Sequence, residues 1–374
     1  MDERGPGPLR VLHAPRNIAN QAGDVVAALR RRGHHAEVWE SRPDSPAGAD
    51  RRLDLAGGGA AATMAAIADA VAGFDVIHFH FGQTFVPWNG DLPPYWDLPV
   101  LRALGKRVYF TFHGSEVRLA RVFRERNPWA DRFQSVSEPD DERTEKAIQV
   151  MRTYANRMFV VSVNYLEYVP DAEYLPRVID LAAWPERAPR DRDRPVVVHA
   201  ASSRGTKGSD TILAVLEQLG ADGEAFDLRV LEGVPHDEVR TTLADADILV
   251  DNVIAGSYGI ASLEAMASGM VAVSNMSEAL RRRHPDAPVV HVDPDTLHDT
   301  LRRLIRDRGE RAALAARGRP YVAAVHDADR IAAALEAFYR APVTPIRGTT
   351  MPDWASMARV RRIETLHARL DRLE

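Results

Sequence analysis

Short apolar runs rich in β-branched residues recur along this chain, each separated from the next by room for about one helix. They come in two series. The first has strand-like runs at residues 9–13, 36–39, 75–81, 107–112 and 158–163. Helical patterns fall between them: Val25, Val26 and Leu29 share one face of a helix that Gly33 ends, and residues 60–72 and 143–156 are also helical. The second series has strands at 196–199, 227–231, 248–251, 271–274 and 289–292. Between the series, residues 180–194 carry Pro185, Pro189 and alternating charges, the mark of a linker. Alternating β and α segments make parallel sheets covered by helices on both faces. The expected fold is therefore α/β, two Rossmann-like domains facing across a cleft, and 374 residues suit two domains. The boundaries expected are 1–185, 186–326 and 327–374. The last piece holds a helix at 327–339 that follows the second sheet. A further helix at 349–374 has Ile363, Leu366, Leu370 and Leu373 on one seam, read first as packing and otherwise as a homo-oligomer contact.

Composition narrows the chemistry. With no cysteine, disulfides, thiolate catalysis and cysteine-bound zinc are excluded. A net charge of −5 argues against nucleic acid as the main partner. Residues 1–9 are polar and lack the apolar core of a secretory leader. The most apolar stretch, 60–81, is broken by Asp69 and Asp75, so no membrane span is expected and the chain reads as cytoplasmic. Lysine occurs only at Lys106, Lys146 and Lys207 among 48 basic residues, which draws attention to the one in a glycine-rich loop.

In parallel sheets, ligands bind beyond the carboxyl ends of the strands. Directly after the first strand of the second series lies His199-Ala-Ala-Ser-Ser-Arg204-Gly-Thr-Lys207-Gly208, followed by a helix. Small residues let the backbone approach a ligand, the helix N-terminus offers free N–H groups, and Arg204 and Lys207 add charge. That combination suits a departing diphosphate stabilised without a metal. After the strand at 248–251 comes Gly256-Ser257-Tyr258-Gly259, then a small-residue helix carrying Glu264. A carboxylate there needs partners, and a ribose diol supplies two hydroxyls.

At these residues the chain resembles the GT-B glycosyltransferases, in particular the retaining group with a Glu-x7-Glu motif (family 4 and its relatives). The resemblance runs to about Tyr339 and implies that the helix at 327–339 crosses back to the first domain. It implies that Arg204 and Lys207 hold the donor diphosphate, that Glu264 holds the ribose, and that Gly256, Ser257, Tyr258 and Gly259 line the donor site. It also implies that His113, in Thr111-Phe-His-Gly-Ser-Glu116, touches the donor sugar; a core or capping histidine is the plainer reading. Position 256 would be the first Glu of the motif, and this chain has Gly256 there; Asp251 is a candidate substitute. The first-strand loop reads Asn17-Ile-Ala-Asn20 rather than paired glycines.

His80, Trp88 and Arg118 are the candidate acceptor contacts. His78 and His80 share a strand face but lack a third ligand, so no metal or other cofactor is expected. Phe85, Trp88, Tyr95 and Trp96 either stack on an acceptor or anchor a long loop; Arg118 and Arg121 meet an acidic acceptor or face solvent. The expected function is metal-independent transfer of a sugar from a nucleotide-diphosphate donor, with retention, to an unspecified acceptor. UDP is the expected nucleotide on frequency alone. A GT-B-type epimerase and an inactive nucleotide-sugar binding protein are the alternatives. A dinucleotide oxidoreductase is disfavoured because neither first strand is followed by Gly-x-Gly-x-x-Gly.

Overall fold

A computed structural model describes residues 7–87, 92–134, 140–185, 187–188, 192–201, 203–234, 236–343 and 345–346. The expected helix at 349–374 and Trp88 lie outside them.

Two parallel sheets organise the chain. The first contains β1 (Arg10–Ala14), β2 (His35–Glu40), β3 (Arg51–Arg52), β4 (Val76–His80), β5 (Arg107–Phe112), β6 (Arg157–Val160) and β7 (Glu173–Tyr174). Its order is β3-β2-β1-β4-β5-β6-β7. The second contains β8 (Val196–Ala201), β9 (Asp227–Glu232), β10 (Ile248–Val250), β11 (Val271–Ser274) and β12 (Val289–His291), in the order β12-β11-β10-β8-β9. This is the doubly wound pair expected from the alternating runs. The edge strands β3 and β7 are two residues long, too short for any periodic signal. β6 stops at Val160, short of the expected 163, because Val163–Glu167 turns into a 3-10 helix.

Local chemistry explains the first helix, Gln21–Arg31. The Asn17 side-chain oxygen accepts from Ala22 N at 3.0 Å and Gly23 N at 3.3 Å, serving N–H groups that a helix start leaves without partners. Val25, Val26, Ala28 and Leu29 are buried beneath it.

The helix Ala328–Arg340 is capped by Asp327, whose carboxylate accepts from Asp329 N and Arg330 N. It packs on the first sheet: Ala328, Ile331, Ala332, Leu335 and Tyr339 join Val11, Val26, Leu29, Val76, Tyr109 and Phe159 in one cluster. Its start is tied to the segment leaving the first sheet, with Ile179 N donating to His326 O at 3.0 Å and Ala328 N to Ile179 O at 3.1 Å. Gln21 completes this junction. Its amide donates to Val178 O at 2.6 Å and accepts from Val178 N at 2.7 Å, all in the interior.

Replacing Gln21 with Leu strips both partners from a buried backbone amide. Each orphaned group costs about 1–3 kcal/mol, so Gln21→Leu is expected to lower stability by roughly 2–4 kcal/mol in urea unfolding.

Candidate active site

The carboxyl end of β5 carries His113. Glu116 shapes the turn: one carboxylate oxygen accepts from His113 N and the other from Gly114 N at 2.8 Å. Gly114 has φ +151, and a Cβ there would lie 2.7 Å from the Tyr165 hydroxyl, so only glycine fits. His113 Nε2 lies 3.1 Å from His80 Nδ1. Burial, then His80, Arg177 and Arg16, pushes the His113 pKa well below the ordinary range, so the imidazole is neutral at pH 7.

Two expected acceptor contacts are corrected here. His80 is 3 % exposed and sits between His13, at 2.8 Å, and His113, so it belongs to the interior rather than to an acceptor surface. Arg118 lies over the rings of Phe133, at 4.6 Å, and Phe123, at 5.3 Å, and packs a loop to the body. Phe85 and Tyr95 are likewise buried, which settles those two as loop anchors. Among the described residues no three His, Asp or Glu side chains are grouped as a metal site needs.

The loop after β8 differs from the single helix entry expected. Arg204–Lys207 forms its own helical turn, and Gly208 at φ +72 breaks it before Ser209–Ala221 begins. A Cβ on Gly208 would lie 2.7 Å from Val253 and 2.8 Å from Ile254. The break separates the two cations. Arg204 points outward to Asp210 and Glu232, each at 2.6 Å, and is half exposed. Lys207 turns inward and pairs with the fully buried Asp251. The two therefore do not form one clamp in this structure.

Asp251 is the centre of the second domain's site. Besides Lys207, it accepts from Gly259 N at 2.6 Å and from the Ser262 hydroxyl at 2.7 Å. Burial alone would raise its pKa, but Lys207 and these donors hold it below the usual carboxylate range. With its oxygens engaged inside the fold, Asp251 does not stand in for the residue missing at 256. Gly259 N–H is taken by Asp251, so it is not a free donor for a phosphate. Tyr258 is corrected too: it is 1 % exposed, and its hydroxyl meets Tyr321 at 2.8 Å and His326 at 3.1 Å in the core.

Gly256 and Glu264 line separate cavities. Gly256 has φ +74 and donates its N–H to Asn275 at 2.9 Å. It borders a space of about 610 Å³ with Asn164, Glu167, Arg126, Trp129 and Ser277. Glu264, 6 % exposed, borders a space of about 630 Å³ between the domains, facing Asn17, Asn20, Asp24, Arg30 and Arg240. Between these regions Arg177 of the first domain donates to the Ser257 hydroxyl at 3.0 Å and to Tyr165 at 3.3 Å, and it is 9 % exposed. Burial lifts the Asp24 pKa to about 6, with Glu264 a smaller contribution.

Asn17, Asn20, Asp24, Glu116 and Arg177 are site residues that the sequence alone did not single out. Glu116, three positions after a strand-end histidine, carried a local signal. Arg177 carried none, because Tyr165 and Ser257, its side-chain partners, are 12 and 80 positions away in sequence.

Residues 194–337 match a family model described as Glycosyl transferase-like, which spans the second sheet and most of the crossing helix. No curated protein matches the chain in sequence. Several solved structures share the fold. Sucrose-phosphate synthase from Thermosynechococcus elongatus superposes with a TM-score of 0.60 at 16% identity, over 88% of this chain and 98% of that one. The catalytic domain of starch synthase IV from Arabidopsis thaliana, bound to ADP and acarbose, gives 0.56 at 16% identity, over 89% and 99%. HepE from Anabaena, in complex with UDP and glucose, gives 0.56 at 11% identity, over 88% and 98%. The fold is GT-B, and with the matched domain it defines the class of the protein: a glycosyltransferase. Among the described residues no helix is long and apolar enough to cross a membrane.

Two predictions follow from the site's charges. Asp251→Ala leaves Lys207 without its partner and two donors unpaired, which costs about 3–5 kcal/mol in a buried setting; thermal or urea unfolding should show a loss of that order. Asp24 ionises in the fold only above about pH 6, against about 3.9 when unfolded. Its charge thus weakens the fold above pH 6, and the penalty fades as pH falls towards 4. The Tm of Asp24→Asn minus that of the wild type should therefore increase as pH is raised from 4 to 8.

Proposed function

We propose that the protein transfers a glycosyl group from a nucleotide-diphosphate sugar with retention and without a metal, in the manner of the family 4 enzymes it resembles. The observation that carries this reading is Glu264. It is a buried carboxylate opening onto an interdomain cavity opposite the loop that follows β1. A ribose diol can donate two hydroxyls to it, and the nucleoside would lie against Asn17, Asn20 and Ile260. Solved relatives of the same fold bind UDP or ADP, so these two nucleotides head the candidates, UDP first.

Lys207 would meet the diphosphate, with Asp251 pairing with its ammonium and aiming it. Arg204 would join only by leaving Asp210 and Glu232, a rotation that an exposed side chain makes at little cost. The neutral His113 imidazole would hydrogen-bond the sugar, and domain closure would exclude water. The sugar is expected beside Gly256 and Ser257, in reach of the second cavity, where the acceptor would enter. Among the described residues no carboxylate is placed as a nucleophile, so departure of the diphosphate would lead, with the acceptor attacking the same face as the leaving group. The freed phosphate would take the acceptor's proton. Such chemistry suits a compartment that holds nucleotide sugars, which is the cytoplasm.

One observation favours a second reading. Gly256 has φ +74, a conformation that strains a side chain such as Glu. The loop is thus built around glycine, not merely lacking a carboxylate, and this fits a nucleotide-sugar binding protein that does not turn over.

Calorimetric titration with UDP, GDP, dTDP and ADP separates these outcomes. One nucleotide is expected to bind, and Glu264→Gln to weaken it about tenfold, the loss of roughly one charge-assisted hydrogen bond. Binding of none removes the donor-site reading. Binding without donor consumption favours the non-catalytic reading. An inverted anomeric product, or a rate abolished by chelator, overturns the proposed mechanism.

A further inference from the structure

His113 is the end of a line of side chains that runs through the first domain. β1 and β4 are register partners, with His13 opposite His78, and β4 pairs His80 with Thr111 of β5. Alternation puts His78 and His80 on one sheet face, and Thr111 and His113 on the same face. That face is the one covered by the helix Ala328–Arg340, which lowers Tyr339 among the histidines. The contacts are continuous. Thr111 Oγ1 lies 2.7 Å from His78 Nε2, and His78 Nδ1 lies 2.6 Å from the Tyr339 hydroxyl. That hydroxyl lies 3.3 Å from His13 Nε2; His13 Nδ1 lies 2.8 Å from His80 Nε2, and His80 Nδ1 lies 3.1 Å from His113 Nε2. The imidazoles of His13, His78 and His80 also stack, with centroids 4.8–5.1 Å apart.

Each link needs one hydrogen. Burial drives the pKa values of His13, His78 and His113 well down and that of His80 to about 3, so all four rings are neutral and carry one N–H each. Thr111 and Tyr339 bring one hydroxyl hydrogen apiece. Six hydrogens serve five links, leaving one to point out of the line. Three arrangements satisfy every link. In the first, all four histidines carry hydrogen on Nδ1, and His113 Nδ1–H points out of the line. In the second, all four carry it on Nε2, and the spare hydrogen is that of Thr111. In the third, His78 carries it on Nδ1 and the other three on Nε2; the Tyr339 oxygen then accepts from both neighbours and its own hydrogen is the spare one. Any other mixture places two N–H groups, or two lone pairs, against each other in the interior.

The spare hydrogen chooses between them. Thr111 is buried, and His78 is its side chain's hydrogen-bond partner among the described residues. In the second arrangement its hydroxyl hydrogen would be a buried orphan donor, and in the third that of the fully buried Tyr339 would be one; an orphan donor is rarer than an acceptor left half-used. In the first arrangement every hydrogen in the line is used, and the outward one lies at the half-exposed residue beyond the carboxyl end of β5.

We infer that Thr111, His78, Tyr339, His13 and His80 form a directional relay that locks His113 as the Nδ1–H tautomer, so that His113 offers the cleft a hydrogen-bond donor for a sugar oxygen. Tyr339 and His80 are then positioning residues, acting through His113. The effect on transfer rests on the proposed contact of His113 with the sugar; the tautomer lock does not.

Long-range ¹H–¹⁵N correlation spectra of the protein labelled in histidine nitrogen read each tautomer directly. The expected result is Nδ1–H at His13, His78, His80 and His113 alike. An Nε2–H signal from any of the four in the wild type overturns the inference. His80→Leu should release His113 into a mixture of tautomers, whereas His80→Gln, whose amide both donates and accepts, should keep it on Nδ1. Tyr339→Phe removes the acceptor of His78 Nδ1–H and the donor to His13 Nε2, and so should let all four histidines average. In transfer assays His80→Leu should lower kcat/KM about tenfold and His80→Gln should recover most of that; a His80→Gln protein as impaired as His80→Leu, with His113 still on Nδ1, counts against the positioning role. Uniform Nδ1–H tautomers together with full activity of His113→Ala would leave the lock standing and remove the sugar contact.

Discussion

The first domain cannot close its own core. One face of its sheet is covered partly by the helix Gln21–Arg31 and partly by a helix from the far end of the chain, Ala328–Arg340, whose Ile331, Leu335 and Tyr339 pack against Val11, Val76 and Tyr109. This burial of apolar surface is the constraint on which much else depends. It forces the chain to return across the junction after finishing the second sheet. It brings Asp327 beside Ile179 and fixes the two crossing segments as neighbours. The spacing of the cleft, and the depth at which Glu264 faces Asn17 and Asp24, are consequences of that return.

Within this frame the polar groups of the site are held by one another rather than left waiting. Asp251 collects Lys207, Gly259 and Ser262; Glu116 collects the two backbone N–H groups after β5. Buried charge is tolerated only when it is paired or hydrogen-bonded in this way. The arrangement also explains why several attractive residues are not surface contacts. Tyr258 and His80 look like ligand-facing groups in a loop and at a strand end, yet both have interior partners that use their polar atoms. The same logic ties the two halves together. Arg177 reaches from the first domain to Ser257 of the second, and Tyr339 reaches back into the histidines that end at His113.

Much of the architecture was legible in the residues. The runs around Val11, Ile77 and Phe110 in the first half, and around Val197, Leu249 and Ala272 in the second, are long and apolar because both faces of a parallel sheet are buried. Glycine loops after β8 and β10 were legible as candidates, since ligand sites follow strands in such sheets. The two-residue strands β3 and β7 were invisible, being shorter than the period that reveals a strand. The division of roles inside the loops was also hidden. Arg204 and Lys207 are three positions apart and look equivalent; one helical turn closed by Gly208 sends one outward and the other inward.

By itself, then, the sequence determined the α/β class, the two sheets, their approximate strands, and which loops follow strands with glycines and polar residues. These follow from local periodicity and from backbone freedom at glycine, both of which are properties of neighbouring residues. Only the tertiary structure decided which side chains meet. Lys207 finds Asp251 44 positions away, Gln21 finds Val178 157 away, and Tyr339 finds His13 326 away. Such pairings are set by how the sheets, the linker and the returning helix pack, and no local pattern of residues encodes that distance.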